Sequence, residues 1–222
     1  RCQPVTGVQT CALPILAAER FEIRIAGSGG QGVILATELI GQAITYYEPE
    51  LYVVQSQAYG PEARGGKSKA EVVISSEPID YPKVIAPSLQ VILTQAAADE
   101  FATDTKPGGR IVYDDFFVTD LPGVRIGDYG GGSVESTQTR IDASIYVLPI
   151  VRTAREKLGR EIVTNMVALG CVGRILELEK IASPDSLRKV IAAHFPVQKI
   201  ADLNLQAFDA GYEVLKQMPL PD

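Results

Sequence analysis

Phe21–Ala26 (FEIRIA) alternates apolar and polar side chains and runs straight into Gly27-Ser28-Gly29-Gly30-Gln31-Gly32. Beyond that turn Ala36, Leu39, Ile40, Ala43 and Ile44 fall on one helical stripe. Strand, glycine-rich turn and helix in this order commit the chain to a sheet with helices packed on it. Gly27, Gly29 and Gly32 match the G-x-G-x-x-G spacing of dinucleotide-binding turns, in which backbone N–H groups at a helix start attract a phosphate. A tight strand-to-helix turn also needs glycine for its own geometry, so on the motif alone ligand contact and plain turn geometry both stand. A nicotinamide enzyme further wants an Asp or Glu at the end of strand two to hold the ribose hydroxyls. Here that strand ends Val54-Gln55-Ser56-Gln57, and Glu48 and Glu50 precede it, which disfavours the ordinary NAD reading.

The rest of the chain continues the alternation. Leu51–Gln57 and Lys69–Ser75 read as strands two and three, and the turn-rich YGPEARGG between them has no room for a crossover helix. They are expected to be antiparallel neighbours. Leu89–Thr94, Arg110–Tyr113 and Ala143–Leu148 read as strands, Gln95–Phe101 as a helix and 128–139 as a flexible loop. Ile162–Leu176 is apolar almost all round, the mark of a buried helix. Ser183-Pro184-Asp185 supplies an N-cap, a proline at the first helical position and an acid in the first turn. Ile200, Leu203, Ala207, Phe208, Gly211, Tyr212 and Leu215 form a closing amphipathic stripe. The fold class expected is a three-layer α/β/α domain around a mostly parallel sheet with one antiparallel strand pair.

Composition removes several classes of function. With 46% hydrophobic and 22% charged residues in 222, intrinsic disorder and disulfide scaffolds are out. No apolar run approaches the ~18–20 residues of a membrane helix, and a net charge of −6 argues against a nucleic-acid-binding face. The first residues stand apart. Residues 1–15 (RCQPVTGVQTCALPI) carry one charge and no period, and VTGVQTCALPI looks like a sequencing-adapter oligonucleotide translated in frame. A clipped secretory signal is the competing reading, although its apolar stretch is short and contains Pro14. Residues 16–222 are then expected to be a single domain. Without the leading segment only Cys171 remains, consistent with a reducing cytoplasm, and with the single His194 it can assemble neither an iron–sulfur cluster nor a usual zinc site.

A second motif is more specific: Tyr59-Gly60-Pro61-Glu62-Ala63-Arg64-Gly65-Gly66. Together with Gly29-Gly30-Gln31-Gly32 and Asn165-Met166-Val167-Ala168-Leu169-Gly170, it resembles the gamma subunit of 2-oxoacid:ferredoxin oxidoreductases. The run SQAYGPEARGGKSKAEVVISSEPIDYP looks most like the 2-oxoglutarate branch, and the similarity extends from about Phe21 to the last helix. The resemblance implies a Rossmann-like domain docked against alpha, beta and ferredoxin-like delta subunits. The whole enzyme would convert a 2-oxoacid, coenzyme A and oxidised ferredoxin to acyl-CoA, carbon dioxide and reduced ferredoxin. Thiamine diphosphate, magnesium and iron–sulfur clusters would lie on the other subunits, with coenzyme A as co-substrate and no catalysis by this chain alone. Gly127-Asp128-Tyr129 is not the thiamine diphosphate motif, because Tyr129 stands where a second glycine is required. Residues expected to face a cofactor are Gly27, Ser28, Gly29, Gly30, Gln31, Gly32, Tyr59, Gly60, Glu62, Arg64, Gly65, Gly66 and Asn165.

Each of these has a plainer reading. Arg64 suits a phosphate or carboxylate clamp, a pair with Glu62 or a brace at a subunit interface. Lys67 and Lys69 share a strand face that reads as solvated. Asn165 must find partners if buried, either by capping a loop or by touching a ligand. His194 reads as a capping or packing residue, and Cys171 as an inert core thiol. Alternatives that stay open are a gamma subunit for pyruvate, branched-chain oxoacids or indolepyruvate, a free-standing nucleotide-binding module, and a pure scaffold.

Overall fold

The computed structural model describes residues 20–59, 67–123 and 141–218. Residues 1–15 and 128–139 lie outside them. Six strands, β1 (Phe21–Ser28), β2 (Tyr52–Tyr59), β3 (Lys67–Ser75), β4 (Leu89–Ile92), β5 (Gly109–Asp114) and β6 (Ala143–Leu148), form one sheet in the order β2-β3-β1-β4-β5-β6. β1, β4, β5 and β6 are mutually parallel, while β3 runs antiparallel to both β1 and β2. The expected β2–β3 pair is present. What local pattern did not reveal is that β3 is inserted between β2 and β1.

The helices are α1 (Val33–Tyr47), α2 (Gln95–Phe101), the short α3 (Ile150–Arg152), α4 (Thr164–Leu178), α5 (Pro184–His194) and α6 (Gln198–Lys216). Ser183 caps α5 as its sequence requires, its Oγ accepting the Asp185 N–H at 3.2 Å, with Pro184 at the start of the helix. Ile23 and Ile25 of β1, with Val72 and Ile74 of β3, point into a core shared with α1, α4, α5 and α6. The opposite face is covered by α2 and the segment after β5 through Phe101, Ile111, Tyr113, Val118 and Leu121. The three layers are therefore unequal, and the second helical layer is little more than α2.

Helices α4 and α6 cross at a pair of glycines. A Cβ on Gly170 would stand 2.6 Å from Tyr212 N, and one on Gly211 would stand 2.7 Å from Val167 C, so the backbones touch where neither residue has a side chain. Cys171 Sγ donates to Gly211 O at 3.4 Å in the same crossing. Burial there pushes the Cys171 thiol up to about 12, so almost no thiolate exists at neutral pH. Native protein is expected to leave Cys171 unlabelled by a maleimide over hours, with full labelling in denaturant; fast labelling of folded chain would contradict the packing.

The thin side of the sheet buries charge. Arg24 on β1 donates to Glu71 of β3 at 2.7 Å and to Asp104 at 2.5 Å, and its guanidinium lies 5.2 Å from the Phe101 ring. Lys69 joins this cluster, 3.4 Å from Glu71 and 5.2 Å from the same ring. The solvated face expected for Lys69 is thus corrected: its neighbours on the sheet draw it into a half-buried ion network.

Candidate functional site

The glycine turn sits at the carboxyl edge of the parallel strands, where open α/β sheets place their ligands. Gln31 braces it from within: Gln31 N donates to Ser28 O at 3.2 Å, and Gln31 Oε1 accepts the Ser28 N–H at 2.7 Å. Gly32, at φ 71°, is the N-cap of α1 in the left-handed region that favours glycine. It has no side chain to offer the helix, no other described side chain caps it, and the first turn contains no acid. The first helical amide to find a backbone acceptor is that of Ala36, which donates to Gly32 O at 3.1 Å. The amides ahead of it keep their hydrogen-bonding capacity and the positive end of the helix dipole.

Asn165, from the first turn of α4, closes on the same point. Its Nδ2 donates to Gly32 O at 3.2 Å, and a Cβ on Gly32 would lie 2.9 Å from Asn165 Cγ. Glycine at 32 is needed twice, for its φ and for the approach of Asn165. The turn and Asn165 open onto a cleft of about 820 Å³, walled by Leu35 of α1, Leu158 and Val163 before α4, and Phe195, Leu203 and Asn204 around α6. An apolar cleft with a few convergent polar groups at one end has the form of a small-molecule site.

At the sheet's carboxyl edge Asp114 ties the end of β5 to its surroundings. Its Oδ2 accepts from Phe116 N at 3.1 Å and Phe117 N at 2.9 Å, and its Oδ1 accepts from Val151 N at 2.8 Å. Burial pushes its carboxyl above the ordinary value despite these amides. Its three described hydrogen bonds all come from backbone amides, which makes it a structural lock.

Of the residues expected at the site, the structure brings Gly27 to Gly32 and Asn165 together. Gly60, Glu62, Arg64, Gly65 and Gly66, and the side chain of Tyr59, lie outside the described residues. Their flanks are informative, because Tyr59 is in register with Ser68, and Ser68 with Gly27. The second motif therefore leaves the sheet from β2, two strands or about 10 Å from the glycine turn, and rejoins it at Lys67 of β3, the direct partner of Ser28. His194 is exposed at the end of α5, its ring edge-on to that of Phe195 with centroids 4.9 Å apart. Asn204 donates to Ile200 O at 2.8 Å within its own helix while it lines the cleft. Sequence reasoning missed Arg160, Ile162, Lys199 and Ile200, which also line the cleft. A hydrophobic residue flanked by charges ahead of a buried helix was their only signal. Among the described residues no three His, Cys, Asp or Glu side chains converge as a metal site, and no helix is long and apolar enough to cross a membrane.

Fold and turn together define a Rossmann-like α/β domain whose glycine turn lies at the carboxyl edge of its sheet. The chain belongs to the pyruvate ferredoxin/flavodoxin oxidoreductase family, whose sequence profile matches residues 22–214. It is 41% identical, over 90% of its length and 96% of the relative's, to the 2-oxoglutarate synthase subunit KorC of Methanocaldococcus jannaschii. Its fold is similar to that of the gamma subunit of the keto/oxoacid ferredoxin oxidoreductase of Geobacter sulfurreducens, with TM-score 0.71 and 36% identity over 90% of this chain and 98% of that one. It is also similar to the 2-oxoglutarate:ferredoxin oxidoreductase of Magnetococcus marinus, solved with 2-oxoglutarate, coenzyme A and succinyl-CoA bound. There the TM-score is 0.72 at 25% identity, covering 92% of this chain but 32% of that longer one.

Proposed function

We propose that this chain is the gamma subunit of a multisubunit 2-oxoglutarate:ferredoxin oxidoreductase. It supports the CoA-dependent oxidative decarboxylation of a 2-oxoacid to acyl-CoA with reduction of ferredoxin, alongside alpha, beta and ferredoxin-like delta subunits in the cytoplasm. Thiamine diphosphate, magnesium and the iron–sulfur clusters are assigned to those partners. The observation that carries the reading is the shared edge: the uncapped turn Gly27–Gly32, Asn165 and both flanks of the 60–66 motif lie at one end of the sheet.

In this reading the coenzyme A diphosphate sits on the amides that open α1 and leans on Asn165, while the cleft receives apolar parts of the ligand. Tyr59, Gly60, Glu62, Arg64, Gly65 and Gly66 are assigned to the same ligand. The chain's own chemistry is to bind and orient; the bond-making groups are supplied by the other subunits.

In the assembled enzyme, Asn165→Ala is expected to raise KM for coenzyme A about tenfold, the equivalent of one lost polar contact at 1.4 kcal/mol, with kcat changed far less. An unchanged KM for coenzyme A would leave the turn a mere scaffold. Rates on 2-oxoglutarate, pyruvate, branched-chain oxoacids and indolepyruvate test the substrate, and preference for any of the last three would overturn the 2-oxoglutarate assignment.

A further inference from the structure

The outer rim of the cleft carries more exposed apolar surface than a ligand site needs. Ile162 is 82% exposed, Val197 52% and Ile200 46%, and Ile162, ahead of α4, and Ile200, on α6, both line the cleft. The patch continues toward β5: Arg155 lies 4.7 Å over the ring of Phe116, itself 46% exposed, and donates to Glu161 at 2.9 Å beside Ile162. An apolar strip of this kind on a folded domain marks an interaction surface.

Charge at the rim is net positive, with Arg160 and Lys199 against the single carboxylate of Asp202 among the cleft's lining residues. Glu161 is engaged by Arg155, and Asp202 accepts from the neutral amide of Gln198 at 2.7 Å. Arg160 and Lys199, which line the cleft, have no acidic partner among the described residues. The chain as a whole is acidic, at −6, so two unengaged cations framing its exposed isoleucines set this patch apart. The surface is complementary to an apolar segment flanked by carboxylates.

We propose that this rim is the docking face for the polypeptide that, in the longer Magnetococcus marinus relative, is continuous with this domain. Its apolar residues, flanked by Asp or Glu, seat between Ile162 and Ile200 and close the outer end of the cleft. The inference rests on the functional reading above, because it takes its occupant from the same enzyme. It adds where that subunit binds and by what chemistry.

The test is co-expression of the tagged chain with the other subunits of its complex. Ile162→Asp/Ile200→Asp is expected to cut recovered partner at least tenfold, while the melting temperature of the purified chain moves by no more than about 2 °C, since both side chains are exposed. Arg160→Glu/Lys199→Glu is expected to weaken recovery and remove its dependence on salt. Tyr46→Ser/Tyr52→Ser, at exposed aromatics of α1 and β2 that do not line the cleft, is expected to change nothing. Wild-type recovery with Ile162→Asp/Ile200→Asp would overturn the docking face and leave the functional reading intact. So would full assembly with a raised KM for coenzyme A, which would give the rim to the ligand, or a wild-type homodimer that this variant makes monomeric. If the wild-type chain recovers no oxoacid oxidoreductase subunits, the functional reading itself falls.

Discussion

Gly211→Ala is expected to lower stability by about 3 kcal/mol or more, a fall in Tm of roughly 10 °C. The new methyl would enter the backbone of Val167, with the carbonyl carbon 2.7 Å and Cα 3.0 Å away. No side-chain rotation relieves a collision with backbone, so α4 and α6 must part. Their separation would unseat Cys171 from Gly211 O and loosen Phe208, which is fully buried between the two helices and α5. Asn165 stands on the same α4, so the loss should reach the glycine turn and raise KM for coenzyme A in whatever folded complex remains. Gly41→Ala is the control. Gly41 lies inside α1 with nothing within 4 Å of a Cβ, and alanine there should stabilise by up to about 1 kcal/mol. Denaturant midpoints of the two variants decide the matter; similar shifts in the same direction would refute the contact argument.

Local pattern made much of this fold readable, and the reason differs by element. FEIRIA announces a strand because its period is two, and Ser183-Pro184-Asp185 announces a helix start because cap chemistry is local. The β2–β3 pairing followed from a connection too short for a crossover. The place of β3 beside β1 did not, since nothing in either strand encodes its second neighbour. Asn165 stood out as a polar residue on an apolar helix, but its partner, Gly32 O, is 133 residues away in sequence. The cleft was illegible for the same reason: Leu35, Ile162 and Ile200 come from three separate elements and share no spacing. Even the readable strand was silent in one respect. Alternation in β1 does not tell a solvated face from a buried polar one, and Glu22 and Arg24 are both buried because β3, the loop before β4 and the turn after α2 supply partners. Glu22 accepts the N–H groups of Ile85 and Ala86, both at 2.8 Å, and Arg24 finds Glu71 and Asp104.

That buried pairing sets the second large effect. Arg24→Ala is expected to destabilise the chain by about 3 kcal/mol, near the lower end for a broken buried ion pair. Asp104 contributes little to the loss, because its side chain is 43% exposed and water can take over from the guanidinium. Glu71 carries the penalty. Its side chain is 10% exposed, and after the substitution Lys69, 3.4 Å away, is the described cation left to hold it. Phe101 also loses the guanidinium packed against its ring. Removing both charges should be gentler than removing one: Arg24→Met/Glu71→Leu fills similar volume with no stranded carboxylate and is expected to recover most of the loss. Because β1 carries Arg24 and, further along, the glycine turn, the single substitution should also weaken coenzyme A binding in proportion to unfolding, with no separate effect on the folded fraction. Urea titrations of the three chains give the answer. A double variant no more stable than Arg24→Ala would mean that the stranded Glu71 carboxylate carries none of the penalty, and that the sheet's thin side is held by the ion pair itself.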